Sequence, residues 1–493
     1  MKLLNKEICP DFRHYPERIL QFGEGNFLRG FVDWQVQVLN EKTDFNGSVV
    51  VVQPRGSEKI ERLNRQDGLF TLYLQGIKDG KPVNEHRVIN SISRGINLQT
   101  DYQDYIELAG KEELRFIVSN TTEAGIAFNP EDKLEDRPQK SFPGKLTAFL
   151  YYRFQAFSGD NQRGCIIIPC ELIENNGEKL KEIVLQYAKE WNLGQEFTDW
   201  AENANTFCSS LVDRIVPGFP EDTMDEKTAE LGYKDDLLVV GEQYHLWAIQ
   251  GHEWLKKELP VSGTGLNTLI VDDLAPFRTR KVRILNGAHT AMTAVGYLYG
   301  LDTVEEAVND PEVGQFIRGL ISDEIIPTLE GPKEELTTYA NEVLSRFANP
   351  YIKHYLMSIS LNSISKFQAR NLPALLDFVN KYNALPKRMV FAQSSLIYFY
   401  RGKRGQEDIA LQDSPEVMEY FKTLCEQFDN SKSDFGELSK KVLSEQTLWG
   451  MDLAEVPNLS EGVSENLQSI HKNGIALALK ELMDTAIFQE GFK

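Results

Sequence analysis

The sequence predicts an α/β protein: a Rossmann-like, doubly wound, mostly parallel sheet domain over residues 1–276, followed by a mainly α-helical domain over residues 277–493. Three observations lead there. Short, continuously apolar, β-branched runs alternate with helical stretches through the first half, as expected of strands covered on both faces by crossover helices. One of these runs ends in a glycine-rich turn that opens a helix. Beyond about residue 276 β-branched runs become scarce and helical periodicity takes over. A length of 493 residues suits two large domains.

Residues 18–22 (RILQF) make the first strand and close on Gly23 and Gly25. Residues 27–40 follow as a helix, with Phe27, Phe31, Trp34 and Val38 along one face. Residues 48–52 (SVVVV), 114–119 (LRFIVS) and 164–169 (GCIIIP) read as buried strands, and 269–272 (LIVD) as a further one. Helices are predicted over 146–157 and 178–191. Residues 69–76 and 83–89 flank Asp79-Gly80 and predict a hairpin inserted into the alternation. In the second half the periodicity predicts helices over 282–299, 315–326, 334–347, 352–367, 372–382 and 388–400. No internal repeat or low-complexity linker interrupts the chain.

Composition narrows the function classes. With 53 Lys+Arg against 73 Asp+Glu the net charge is −20, which argues against the basic footprint that nucleic-acid binding requires. No apolar run approaches the roughly 18–20 residues of a membrane span. The first 18 residues are polar and mixed in charge, without the apolar core of a secretory signal. The expectation is a cytoplasmic protein with neither nucleic acid nor membrane as partner; oligomeric state is left open. The five cysteines (9, 165, 170, 208 and 425) are odd in number and include no Cys-x-x-Cys, so reduced thiols are expected. Cys165 and Cys170, in CIIIPC, read as packing residues. The histidines lack metal-ligand spacing, and no metal is expected. The absence of Gly-x-Ser-x-Gly argues against a serine hydrolase.

Two motifs carry chemistry. In the first, Gly23-Glu24-Gly25-Asn26-Phe27-Leu28-Arg29-Gly30 follows a strand and opens a helix, the context of a dinucleotide fingerprint. Gly23 permits a tight turn, Gly25 lets backbone approach a pyrophosphate, and the helix N-terminus offers unpaired N–H groups. Leu28 stands where the third glycine is usual. The second strand ends in Gln53-Pro54-Arg55 rather than in a carboxylate. Gln53 can bond a ribose hydroxyl and Arg55 can favour a 2′-phosphate, so NAD and NADP both stay open locally.

In the second motif, residues 278–289 (RTRKVRILNGAH) make a basic run in an acidic protein. At about 100° per residue, Lys281, Asn286 and His289 fall within an arc of roughly 140°. Ketone reduction needs a proton donor at the carbonyl oxygen and a donor that stabilises alkoxide charge. Lys281 can supply the proton, while Asn286 and His289 can hold the oxygen. A solvated basic helix start with a core histidine would show the same run. Lys366 and Arg370, four apart on a helix, can clamp a carboxylate or be solvated, with Lys353 as a weaker third cation.

Together the pieces resemble one family. QFGEGNFLRGF, QDGLFTLY (66–73), SNTTEAGI (119–126), VDRIVP (212–217), Lys281 with Asn286 and His289, and FxNPxI (347–352) occur in order along essentially the whole chain. The chain resembles the mannitol dehydrogenase family of long-chain polyol dehydrogenases. The runs PCELIENNG, LNGAHTA and NPYIKH point within it to members of hexuronate catabolism that act on a sugar acid. The resemblance implies reversible, metal-independent, NAD-dependent oxidation of a secondary alcohol. It implies Lys281 as general acid/base, with Asn286 and His289 binding the reacting oxygen or substrate. The cofactor contacts are then Phe22, Gly23, Gly25, Asn26, Phe27, Gln53 and Asn120. The substrate contacts are Glu123, Lys366 and Arg370.

One departure stands out. Polyol-oxidising members carry Cys-Asp-Asn-Ile after the fourth strand, and their Asn is an oxyanion donor. Here the run is Cys170-Glu171-Leu172-Ile173. Replacement by Asn176, by Glu123 through water, or reliance on Asn286 alone are the alternatives. From another class, a nucleotide-sensing Rossmann protein would explain Leu28 and Leu172, but it has no need of a lysine proton donor.

Overall fold

The computed structural model describes residues 1–9, 12–53, 58–78, 80–429 and 434–490. Two compact units emerge, one of residues 1–78 and 83–274, the other of residues 79–82 and 275–493.

The strands of the first unit are β1 (Glu17–Phe22), β2 (Ser48–Val52), β3 (Phe70–Lys78), β4 (Lys81–Ile89), β5 (Ile92–Ile96), β6 (Phe116–Ser119), β7 (Ile166–Pro169), β8 (Thr206–Phe207), β9 (Ser210–Asp213), β10 (Val239–Glu242), β11 (Leu246–Gln250) and β12 (Thr268–Val271). Six of them form one sheet in the order β5-β2-β1-β6-β7-β8, every neighbouring pair parallel. The order reverses between β1 and β6, which creates the crevice where doubly wound sheets bind ligands.

The apolar runs explain the layering. Side chains alternate between faces along a strand. Ile19, Val49, Val51, Phe116, Val118 and Ile168 enter one core, with Phe31 and Val38 of the first helix. Leu20, Val50, Val52, Ile117 and Ile167 enter the other, under the helices Tyr102–Ala109, Phe142–Ala156 and Asn176–Glu190. All five residues of β2 are buried, as a strand covered on both faces requires.

Two features depart from the expected elements. β5 (ISRGI) is polar in part: Arg94 pairs with Glu17 at 2.7 Å, and Gly95 lies under Ile60 and Leu63. An apolar-run search misses such an edge strand. The 269–272 run lies outside the central sheet, because β12 pairs with β11, and β11 with β9, in a separate three-stranded sheet. The expected hairpin strands do lie side by side as β3 and β4, in a sheet with β10; Asp79 of its turn lies outside the described residues.

Among the described residues from 275 onward, the second unit is helical apart from a short antiparallel hairpin, β13 (Lys403–Arg404) with β14 (Glu407–Asp408). Its first helix runs without a break through Ala275–Arg280, a π-helical segment Lys281–Asn286, and Gly287–Tyr299. It stops at Gly300, whose φ of +117° is a conformation that glycine adopts readily. The expected 352–367 helix is two, Leu356–Ile359 and Ser363–Arg370. Asn362, at φ +54°, sets the break. Among the described residues no helix is long and apolar enough to cross a membrane.

Candidate functional site

The C-terminal ends of β1, β2 and β6 open into a cleft of about 760 Å³. Gly23, Gly25, Gln53 and Asn120 line it, with Thr121, Thr122, Lys59 and Lys140. Gly23 has φ +134°, and a Cβ there would lie 2.8 Å from Leu28 Cδ1 and 3.2 Å from the Asn120 carbonyl oxygen. Glycine is required at that turn. Gly25 differs: its φ is −69°, and an added Cβ would meet no protein atom within 4 Å. The space in front of it is open. Leu28, in place of the usual third glycine, is buried against Gly23. Close helix-to-sheet approach falls to Gly30, where a Cβ would lie 3.2 Å from both Val216 and Val239.

Buried polar groups brace this turn from behind. Gln21 Nε2 donates to the Gly23 carbonyl at 3.0 Å and to Asp33 at 3.2 Å. Burial raises the Asp33 carboxyl to about 7, against the opposing pull of Gln21 and Arg29. Arg29 donates to the Glu24 carbonyl at 3.2 Å, to Asn26 Oδ1 at 2.6 Å and to the Leu237 carbonyl. Asn26 is thus held by Arg29. Phe22 is fully buried, and Phe27 stacks on Phe31 at 5.0 Å. Of these predicted cofactor residues, Gly23, Gly25, Gln53 and Asn120 line the cleft, whereas the Phe22 and Phe27 side chains serve the core. Arg55 lies outside the described residues.

Lys59 and Lys140 were not singled out from the sequence. Lys59 pairs with Glu24 at 3.1 Å and Lys140 with Glu131 at 2.7 Å. Neither belongs to a motif; only the fold brings them to the glycine turn. Ser141 also lines the cleft and caps the helix Phe142–Ala156 by accepting from Gly144 N–H at 3.0 Å.

At the ends of β6 and β7, Asn120 Nδ2 donates to the Cys170 carbonyl at 3.2 Å, and the Glu171 carboxylate reaches Ser119 and Thr121. Leu172 is 66% exposed. Asn176 is committed inside the fold: its Nδ2 donates to the carbonyls of Pro169, Glu171 and Ser210, and its Oδ1 accepts from the N–H groups of Gly177 and Ser210. It has no amide hydrogen to spare, so it does not replace the donor missing at Leu172. The Glu123 side chain lies outside what the structure describes. Burial pushes up the thiols of Cys165, Cys170 and Cys208, the last to about 12, which makes them packing residues.

In the second unit, Lys281 and Asn286 begin and end the π-helical segment, both half-buried. His289 follows one turn on and is buried. Its ring stacks on Phe347 at 4.2 Å and meets His354 edge-on at 5.0 Å. Burial, reinforced by His354, Arg346 and Arg370, holds its pKa well below the ordinary imidazole value, so it is neutral. Its Nε2 is buried without a hydrogen-bond partner. Arg370 joins the same group, donating to Thr290 Oγ1 at 3.2 Å. Lys366 donates to the Ile359 carbonyl at 2.8 Å, across the helix break. Of the basic run, Arg280 lies over the rings of Phe277 and Tyr339, and Arg283 pairs with Asp377 at 3.5 Å. Among the described residues no cluster of three or more His, Cys, Asp or Glu side chains is arranged to hold a metal ion.

Comparison with known proteins adds three findings. Residues 17–263 match the mannitol dehydrogenase Rossmann domain and residues 273–471 the mannitol dehydrogenase C-terminal domain. The altronate oxidoreductase of Bacillus subtilis (strain 168) is 61% identical over 481 residues, 98% of either chain. That of Cronobacter sakazakii is 47% identical over 98% of this chain and all of its own. Among solved structures, a substrate-free D-sorbitol dehydrogenase superposes with a TM-score of 0.80 at 22% identity, covering 97% of this chain and 100% of its own. The Pseudomonas fluorescens mannitol 2-dehydrogenase, in complex with NAD and D-mannitol, gives 0.66 at 23%, over 98% and 100%.

Proposed function

The chain belongs to the mannitol dehydrogenase family, and from that premise we propose that it interconverts D-altronate and D-tagaturonate with NAD. The observation that carries this reading is full-length similarity to altronate oxidoreductases in a chain that sets Lys281, Asn286 and His289 on one helix.

The glycine turn fits the cofactor. Gly23, Gly25, Gln53 and Asn120 would hold it, and the lack of a side chain at Gly25 leaves its backbone open to approach. Bound there, the nicotinamide would supply the hydride acceptor for alcohol oxidation and the hydride donor for ketone reduction. Lys281 gives its ammonium proton to the carbonyl oxygen in reduction and takes the hydroxyl proton in oxidation. Asn286 donates its amide N–H to the same oxygen and stabilises alkoxide charge. Neutral His289 offers Nε2 to a substrate hydroxyl. Arg370, beside His289, binds the carboxylate of the sugar acid, and Lys366 adds charge from the next turn. Dependence on a dissociable nicotinamide cofactor supports a cytoplasmic location.

The test is a parallel assay of tagaturonate, fructuronate and fructose with NADH. The reading expects the highest kcat/KM on tagaturonate. Preference for fructuronate would reassign the stereochemistry, and no cofactor turnover on any of the three would overturn the enzyme.

A further inference from the structure

β6 ends at Ser119 and β7 at Pro169, and two residues beyond β7 the Glu171 side chain reaches back across the sheet top. Its carboxylate accepts from the Ser119 hydroxyl at 3.0 Å, the Thr121 N–H at 2.9 Å and the Thr121 hydroxyl at 3.0 Å. The Asn120 bond to the Cys170 carbonyl makes a fourth tie between the two strand ends. Glu171 is itself buried, and its own carbonyl is held by Asn176.

The segment thus held forms one wall of the cleft through Asn120, Thr121 and Thr122. Thr122 has φ +133°, a region where a β-branched residue is rare. Such a conformation persists only where its surroundings over-determine it. Glu171 supplies that constraint from outside the segment, and nothing in the chemistry of hydride or proton transfer requires it otherwise.

We propose that Glu171 is a positioning residue for cofactor binding, holding residues 119–122 in the shape that receives NAD(H). The proposal rests on the cleft being the cofactor site. The carboxylate acts by geometry rather than by charge. Glutamine at this position keeps Oε1 as acceptor for both Thr121 donors and turns its amide to the Ser119 oxygen, since a hydroxyl accepts as well as donates. Alanine leaves all three donors without an acceptor.

The experiment measures the NADH Kd by fluorescence titration, KM for NADH, kcat at saturating NADH, and Tm, for wild type, Glu171→Ala and Glu171→Gln. Hydrogen bonds to a buried carboxylate are strong enough that Glu171→Ala should raise Kd and KM about tenfold or more. The account expects kcat to stay within about threefold, and Glu171→Gln to return Kd to within about threefold of wild type. An alanine variant binding NADH within about twofold of wild type overturns the proposal. So does a glutamine variant as weak as alanine, or parallel losses of Kd, kcat and Tm, which mark a merely structural residue. Should Glu171→Ala not fold, Thr121→Val deletes one bond from the other side. A rise of about threefold in Kd at unchanged Tm then supports the proposal, and no rise overturns it. Wild-type protein with no NADH affinity would overturn the cofactor reading as well, a failure distinct from an alanine variant that binds normally.

Discussion

Lys281 and Asn286 occupy the first and last positions of one π-helical segment, five residues apart. In a regular α-helix five residues leave two side chains about 140° apart around the axis. A π-helix bonds i to i+5, which turns these two residues toward one face instead. The segment therefore brings Lys281 and Asn286 closer around the axis than an α-helix would, which is what their proposed roles as proton donor and amide donor need. π-Helical turns concentrate at functional sites, and this one coincides with the Lys-x-x-x-x-Asn spacing.

The substrate's charge should be read by Arg370. A protein of charge −20 repels a sugar acid at long range, so a local cation must hold the carboxylate. Arg370→Ala should lower kcat/KM for the sugar acid about ten- to a hundredfold, from the 1.5–3 kcal/mol typical of such bonds. Turnover of a neutral ketose should change far less. Lys366→Ala should act in the same direction but more weakly, since its ammonium already serves the Ile359 carbonyl. Equal losses on both substrates would place the carboxylate elsewhere.

NAD should be preferred to NADP. Measured kcat/KM with NADH should exceed that with NADPH by about tenfold or more, as one lost charged contact suggests. A preference for NADPH would point instead to Arg55 and a 2′-phosphate.

His289 should not titrate between pH 5 and 8. Burial, with His354, Arg346 and Arg370, holds its imidazole neutral. His289→Asn should thus lower kcat/KM while leaving the shape of the pH profile unchanged. Disappearance of an inflection in that range would show that His289 does ionise.

Asp33 should make the first unit less stable as pH rises. Burial lifts its folded pKa to about 7 from 3.8. Between those values the folded state holds the proton and the unfolded state does not, so stability falls as pH rises through that window and then levels off. The cost is at most about 4 kcal/mol. Calorimetry should find the Tm of Asp33→Asn falling less steeply than wild type from pH 4 to pH 7. Parallel slopes would contradict this.

How far the sequence led differs by element. SVVVV and CIIIPC declare buried parallel strands, because covering both faces demands unbroken apolar runs. β5 stayed hidden because an edge strand can carry Arg94 and Gly95. The break at Asn362 was hidden too, since helical periodicity continues across a single left-handed residue. In the site, Gly23 and Lys281 announce themselves through local patterns. Lys59, Lys140 and the Glu171 contacts do not, for they join segments far apart in sequence. The fates of Phe22 and Phe27 were equally illegible, since an aromatic beside a glycine turn reads alike whether it faces ligand or core.

The central claim is that Lys281 moves the proton. It is tested most directly by kcat for tagaturonate reduction by Lys281→Ala across pH, with the NADH Kd measured on the same preparation. General acid–base assistance is typically worth about 10²–10⁴ in rate, so kcat should fall by that factor at every pH while Kd stays near wild type. A variant that keeps more than about a tenth of wild-type kcat, against that expectation, would contradict the assignment.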